Sequence, residues 1–239
     1  MADWFEQWFD EDYAALYAHR DAREAELAVA TALREAPELA SGPVLDLACG
    51  AGRHLTELRK ANPSAFGLDL SPALLRLAPA CLHPWLLRGD MRQLPLKPGL
   101  AGITLWFTPF GYFDDAQNEA LLHSLSERLR RDGVLLMDYL NAAELRRNLV
   151  PEDTIERNGI RVTSHRRLEG GRVVKDMELV KLASGERRAA HESVRVYEPE
   201  ELLTLATRAG LRLRKALGHY DGSAFDKRSP RWIALFEKS

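Results

Sequence analysis

The sequence predicts a doubly wound α/β fold, with seven short strands in a mostly parallel sheet whose last strand runs antiparallel. A helical amino-terminal region precedes the sheet and a small antiparallel β insertion interrupts it. Three observations carry this reading. From Pro43 to Leu140 apolar runs of strand length alternate with helical stretches, and a helix between strands is what a parallel crossover requires. Two final apolar runs have no helix between them, which makes that pair antiparallel. Between 160 and 197 the chain becomes charged and β-branched, punctuated by Gly170-Gly171 and Ser184-Gly185, which predicts three antiparallel strands and two tight turns.

The elements follow in order. Trp4, Phe5, Trp8, Phe9, Tyr13, Leu16 and Tyr17 recur at helical spacing with acids between them, and a second helical pattern runs from Asp21 to Ala36 until Pro37 stops it. Strands are expected at VLDLA (44–48), AFGLDL (65–70), WLLRG (85–89), GITLWF (102–107) and VLLMDYL (134–140). Helices are expected from Arg53, after Ser71-Pro72, and from Asp115 to Arg131, closed by Gly133. Asp114 and Gln117 pair as a helix cap, so the Asp114-Asp115 doublet reads as capping rather than chemistry. After the insertion a helix opens with Pro199 at its first position and ends at Gly210. Strands at 211–218 and 231–237 complete the sheet.

At 239 residues the chain is expected to be one domain, with 1–40 as a helical amino-terminal part and 152–198 as the insertion. It carries 33 Lys and Arg against 35 Asp and Glu, a formal charge of −2, which lacks the basic excess of a nucleic-acid coat. Hydrophobic residues at 46% and charged residues at 28% exclude coiled coil and wholesale disorder. Cys49 and Cys81 cannot build a disulfide framework and lack metal-ligand spacing, so no metal is expected. No apolar run is long enough to span a membrane. Asp3, Glu6, Asp10, Glu11 and Asp12 oppose a basic signal-peptide start, and a cytoplasmic chain is expected.

The most informative stretch is Val44-Leu45-Asp46-Leu47-Ala48-Cys49-Gly50-Ala51-Gly52-Arg53-His54, a buried strand entering a turn of small residues and then a helix. Gly50 and Gly52 permit φ > 0 and let a ligand approach the backbone, while the helix start offers free N–H groups. Aligning them to the dinucleotide fingerprint G-x-G-x-x-G places Leu55 at the third glycine, and no phosphate-loop run occurs. Both readings are weakened.

This strand and turn resemble motif I of the class I S-adenosylmethionine-dependent methyltransferases, with Ala48 in place of the first motif glycine. Other matches follow in the family's order: Gly67-Leu68-Asp69-Leu70-Ser71 at the second strand, Arg88-Gly89-Asp90-Met91 in the third-strand loop, and Leu129 to Leu136 leading into the fifth strand. The resemblance covers about residues 40–140. It implies a Rossmann-like sheet, S-adenosyl-L-methionine as cofactor, and methyl transfer to N or O of a small molecule. In this reading Asp69 accepts the ribose hydroxyls, Asp90 meets the adenine amino group, Met91 packs on the ring, and Leu70 and Gly89 belong to the cofactor site. Ala48, Cys49, Gly50, Gly52 and Arg53 supply the turn; for Asp46, ligand contact and capping of the turn stay open.

The amino-terminal run is similar to the lid helix of small-molecule members, which brings Tyr13, Tyr17 and Arg20 to the cofactor and His19 to the reacting centre. The crevice of an open α/β sheet lies beyond the carboxyl ends of its strands. Here the run after the fourth strand, Trp106-Phe107-Thr108-Pro109-Phe110-Gly111-Tyr112-Phe113, is not of the N-P-P-Y type used on planar amide-like nitrogens. It is expected to form an apolar wall, with Phe107 at the cofactor and Tyr112 the one hydroxyl. Candidate catalytic residues are Tyr112, His19 and Tyr220, with His219 as a further base. Arg166, Arg167, Lys175, Arg187 and Arg188 in the insertion read as a solvated face or as a roof for an acidic substrate such as a nucleotide-linked sugar. An RNA acceptor, tRNA, is the runner-up, and a noncatalytic cofactor-binding protein is the reading from another class. The assembly is expected to be a monomer or homodimer.

Overall fold

The computed structural model describes residues 3–18 and 22–238. Its core is a seven-stranded sheet: β1 (Val44–Leu47), β2 (Ala65–Asp69), β3 (Leu86–Arg88), β4 (Leu100–Leu105), β5 (Leu129–Leu140), β10 (Leu211–Leu217) and β11 (Arg231–Lys238). The spatial order is β10-β11-β5-β4-β1-β2-β3. β1 lies between β2 and β4, parallel to both, and β11 runs antiparallel to its neighbours β5 and β10. This is the mostly parallel, doubly wound Rossmann-like sheet with an antiparallel last strand. β1 and β4 are buried at every position, as strands covered on both faces must be.

On one face α6 (Asp115–Arg128) and α8 (Pro199–Arg208) pack Leu121, Leu125, Leu202 and Ala206 against Leu45, Ile103 and Met137. On the other, α3 (Ala22–Glu35) and α4 (Arg53–Ala61) bury Ala28, Val29, Leu55 and Leu58 against Val44 and Leu136. α5 (Pro72–Leu77) begins with a Ser71 cap, whose Oγ accepts the Leu74 N–H at 3.1 Å. Asp114 caps α6 as expected, accepting the Gln117 N–H at 2.7 Å.

Four expectations shift. The amino-terminal pattern is two helices, α1 (Trp4–Trp8) and α2 (Glu11–Leu16), because Asp10 accepts the Asp12 and Tyr13 N–H groups and starts a new helix. α6 stops at Arg128 instead of Arg131, and residues from Leu129 already belong to β5, which slips register against β4 there. A side chain at Gly133 would lie 2.9 Å from the Leu100 carbonyl, so that glycine serves strand contact rather than helix termination. β4 ends at Leu105, before the expected Trp106-Phe107, because Phe107 and Thr108 take left-handed φ of 62° and 63°.

The insertion has four strands instead of three: β6 (Glu152–Arg157), β7 (Ile160–Glu169), β8 (Arg172–Lys181) and β9 (Arg187–Arg195), all antiparallel in sequential order and preceded by α7 (Ala142–Asn148). The added hairpin turns at Asn158-Gly159, with φ of 47° and 77°, the left-handed pair that a two-residue turn of this kind needs. One face of this sheet packs Ile160, Val162, Met177 and Leu179 on Trp8 and Leu16. The Trp8 indole N–H donates to Glu192 Oε1 at 2.5 Å, and Arg188 pairs with Asp10 and Asp12. The insertion thus holds the amino-terminal helices over the ends of the central strands. Among the described residues no helix is long and apolar enough to cross a membrane.

Candidate active site

A cavity of about 300 Å³ opens beyond the carboxyl ends of β1, β2 and β4. Its floor is the turn after β1. Ala48, Gly50 and Gly52 have φ of 58°, 55° and 76°, a run of left-handed residues that bends the chain sharply into α4. Alanine there carries a cost of roughly 1 kcal/mol that glycine avoids. Gly67 makes room behind the turn, since a side chain on it would come within 2.5 Å of Cys49 Sγ. Burial pushes the Cys49 thiol well up, which leaves it unionised and unsuited to nucleophilic work.

Two carboxylates face this turn from different strands. Asp69, at the end of β2, accepts the Gly50 N–H on Oδ2 at 2.7 Å and the Ser71 N–H on Oδ1 at 2.8 Å. Burial raises its pKa, and the backbone donors act against that. Asp46, 1% exposed, accepts from Thr104 Oγ1 on Oδ1 at 3.1 Å, while its Oδ2 has no hydrogen-bond partner among the described residues. Burial, with Asp69 nearby adding repulsion, pushes its carboxyl up to about 7. A buried carboxylate oxygen in the cavity lining without a partner is a demand for a donor or a cation.

The side walls are apolar. Leu70, Gly89, Asp90 and Met91 line one end, where a side chain on Gly89 would press within 3.1 Å of Leu68. Asp90 is engaged by its own neighbour: the Arg92 guanidinium donates to both carboxylate oxygens, at distances from 2.6 to 3.1 Å. Burial works to raise the Asp90 pKa, but Arg92 outweighs it and the net shift is downward. Trp106, Phe107, Pro109, Tyr112 and Phe113 form the opposite wall, while Phe110 is fully buried against Tyr139 and Tyr197. Phe5, Phe9, Tyr13 and Tyr17 close the top, with the Phe9 and Tyr112 rings stacked 5.8 Å apart. Lys175 of β8 donates to the Tyr17 hydroxyl at 2.9 Å.

Of the expected cofactor residues, Tyr13, Tyr17, Asp46, Ala48, Cys49, Gly50, Arg53, Asp69, Leu70, Gly89, Asp90, Met91 and Phe107 line this one cavity, as does Tyr112. Gly52 does not. It sits behind the turn, where a side chain would come within 2.6 Å of Leu82. Tyr220 is also outside the lining: its hydroxyl donates to Asp138 Oδ2 at 2.6 Å, and burial together with that carboxylate pushes its pKa far up, which leaves it unsuited to act as a base. His19 and Arg20 fall outside the described residues.

Several lining residues escaped the sequence reading. The His54 imidazole stacks on Trp106 with ring centroids 4.7 Å apart and 10° between planes. Phe5 and Phe9 reach the cavity because the chain breaks between α1 and α2. Ser71 donates to the Phe9 carbonyl at 2.5 Å, tying that break to the start of α5. Arg172 of β8 clasps the wall from behind, donating to the carbonyls of Gly111, Tyr112 and Phe113 at 3.0, 2.9 and 3.0 Å and to Ser193 Oγ at 2.7 Å. The basic residues of the insertion are engaged by acids: Arg166 with Asp153, Arg167 with Glu169 and Asp176, Arg187 with Glu178, and Arg188 with Asp10.

Comparison with known proteins agrees with this geometry. A family described as a methyltransferase domain matches residues 44–133, the span from β1 to the start of β5. A dTDP-3-amino-3,6-dideoxy-α-D-glucopyranose N,N-dimethyltransferase from Streptomyces fradiae is 32% identical over 157 residues, 62% of this chain. The match spans 59% of that relative's own length. Among solved structures, an S-adenosylmethionine-dependent methyltransferase from Clostridium acetobutylicum superposes with a TM-score of 0.81 at 17% identity, covering 95% of both chains. The S-adenosylmethionine-bound amino pentose methyltransferase CalS10 from Micromonospora echinaspora gives 0.71 at 22% identity, over 96% of this chain and 97% of its own. These structural likenesses establish the fold, and the sequence match places the methyltransferase motifs within it. Residues 44–133 match a methyltransferase domain, and the chain has the fold of solved S-adenosylmethionine-dependent methyltransferases along almost its whole length.

Proposed function

We propose that the chain is an N-methyltransferase that uses S-adenosyl-L-methionine to methylate the amino group of a small molecule, a nucleotide-linked aminosugar. The observation that carries this is the cavity itself. A left-handed glycine turn and two carboxylates form its floor, and four aromatic residues of the wall face it under two helices. The residues fit the cofactor on their chemistry. Each Asp69 oxygen accepts one backbone N–H and keeps a lone pair for a ribose hydroxyl. The unpartnered Asp46 Oδ2 suits the cationic, methionine end of the ligand, beside Ala48, Cys49 and Gly50. Leu70, Gly89 and Met91 suit the flat, apolar adenine, with Asp90 at its amino edge, and Arg53 and Phe107 complete the enclosure.

When bound, the cofactor supplies a methyl group on a sulfonium, already activated for transfer. The protein then has to align an acceptor lone pair, exclude water and remove one proton from an ammonium. Tyr13 and Tyr17, in a lid formed by α1 and α2, cover the reacting centre, with the insertion at 152–198 as the roof; the rest of the expected 1–40 lid does not join it, since α3 packs on the face of the central sheet. The whole chain, 1–239, acts as one methyltransferase domain. Tyr112 is the hydroxyl on the acceptor side, and His19 is retained as a second proton acceptor. The aminosugar acceptor is taken from the Streptomyces fradiae relative's activity. The neutralised arginines of the insertion argue against a long polyanion such as tRNA.

Two measurements test the reading. Titration calorimetry should give saturable binding of S-adenosylmethionine and S-adenosylhomocysteine and none of NAD. Incubation with dTDP-3-amino-3,6-dideoxyglucose and the donor should yield mono- and dimethylated product by mass spectrometry. Cofactor binding with methylation of tRNA but of no aminosugar nucleotide would overturn the acceptor assignment.

A further inference from the structure

The acceptor-side wall of the cavity begins with a backbone shape that aromatic and β-branched residues avoid. Phe107 and Thr108 follow one another at φ of 62° and 63°, where the side chain crowds its own carbonyl. Three distant parts of the chain converge to hold them. The Phe107 N–H donates to Asp138 Oδ2 at 2.7 Å, and the Tyr220 hydroxyl donates to the same oxygen at 2.6 Å. The Thr108 N–H donates to the Asp138 carbonyl at 2.9 Å. Arg231, the first residue of β11, donates through Nε to Asp138 Oδ1 at 2.7 Å and through Nη2 to Thr108 Oγ1 at 2.7 Å.

The Asp138 side chain is completely buried, so both of its oxygens depend on these partners. Arg231 also lies 5.6 Å from the Phe107 ring centroid, within reach of a cation–π contact. Asp138, Tyr220 and Arg231 lie outside the cavity lining, whereas Phe107 and Pro109, on either side of Thr108, belong to it. Charge-assisted hydrogen bonds to both strained residues are therefore invested in two positions that set where the wall stands.

We propose that Asp138, Arg231 and Tyr220 form a positioning brace for methyl transfer, holding Phe107-Thr108 in the left-handed conformation that aims the acceptor side of the cavity. The inference rests on the cavity being the site of transfer to an aminosugar. Without the brace the two residues relax toward ordinary backbone, and the wall from Phe107 to Tyr112 moves. The glycine turn and Asp69, on the other side, stay in place. Alignment of the acceptor is lost, while the cofactor loses only its contact with Phe107 and keeps the rest of its seat.

The test uses the full chain and the substitutions Arg231→Met, Tyr220→Phe and Thr108→Gly. Arg231→Met should lower kcat by about tenfold or more, since small misalignments are expensive in rate, with the Kd for S-adenosylhomocysteine rising by no more than about threefold through the loosened Phe107 contact. Hydrogen exchange at the Phe107 and Thr108 amides should quicken. Tyr220→Phe, which removes one donor and keeps the ring, should give a smaller loss of the same kind. Glycine adopts positive φ freely, so Thr108→Gly in the Arg231→Met background should recover most of the lost kcat and part of the exchange protection. An unchanged kcat alongside faster exchange overturns the proposal, as does a fall in cofactor affinity that matches the fall in kcat, or a glycine double variant without rescue. If Arg231→Met does not fold, Tyr220→Phe decides by the same two readouts. If the parent enzyme methylates no aminosugar nucleotide, the acceptor reading fails on its own, and the exchange and glycine-rescue measurements still decide whether the brace holds the wall.

Discussion

Replacing Asp46 with asparagine should change how the ligand-free protein responds to pH, and the size of the effect follows from its surroundings. The carboxyl is 1% exposed, receives one hydrogen bond from Thr104 and lies near a second carboxylate, Asp69. Burial first, and repulsion from Asp69 second, push it from 3.8 to about 7 against the opposing hydrogen bond from Thr104. Its folded value lies above its unfolded one, so the native state binds the proton more tightly. The contribution of this group is greatest below the unfolded pKa and is lost as pH rises through the folded value. At 1.36 kcal/mol per unit, the loss between pH 4 and 7.5 approaches about 4 kcal/mol. Asparagine keeps the shape and the acceptor for Thr104 but cannot ionise. Asp46→Asn should therefore match the parent near pH 4 and exceed it by about 2–4 kcal/mol near pH 7.5. Urea unfolding followed by tryptophan fluorescence at half-unit pH steps measures the difference directly. A stability difference between the two proteins that stays flat from pH 4 to 7.5 would show that Asp46 is not held protonated by burial.

Three further outcomes follow from the same geometry. Asp69→Ala should weaken S-adenosylmethionine binding by about 1–3 kcal/mol through loss of charge-assisted hydrogen bonds, and calorimetry returning the parent affinity would remove Asp69 from the site. Ala48→Gly should raise thermal stability by roughly 1 kcal/mol, because φ of 58° strains alanine and not glycine; a lower Tm would mean that the methyl group makes compensating contacts. Arg172→Met should destabilise the fold by about 2–4 kcal/mol, since it strips hydrogen bonds from three consecutive carbonyls and from Ser193; chemical denaturation with an unchanged midpoint would contradict the clasp.

The central sheet was legible because each of its buried strands announces itself locally. Val44 to Leu47 and Leu100 to Leu105 are buried throughout and read as runs of apolar and small residues broken only by Asp46 and Thr104, and the glycine turn follows the first of them directly. The fourth strand of the insertion was not, because β6 is exposed at all but one of its positions and has no inward face to alternate. Its one local signal was Asn158-Gly159, a hairpin dipeptide passed over beside the more conspicuous glycine pair at 170–171. The end of α6 was misplaced for a similar reason. Arg130, Arg131 and Asp132 are exposed in β5, and three solvated residues carry no period.

The cavity divides along the same line. Its floor comes from residues adjacent in sequence, whose roles can be read from a motif. Its acceptor wall is shaped by residues far apart: Arg172 gripping the carbonyls of 111–113, and Asp138 with Arg231 and Tyr220 gripping 107–108. No spacing rule connects these positions, so Tyr220 looked like a free hydroxyl in a polar loop when it is committed to a buried carboxylate. Under the proposed function, the division has a physical reason. A cofactor common to a large family can be held by a local motif, whereas the shape presented to an individual acceptor must be set by contacts that differ from one member to the next. The acceptor preference of this chain should therefore be altered by substitutions on β8, β11 and the 219–230 loop, outside the methyltransferase motifs.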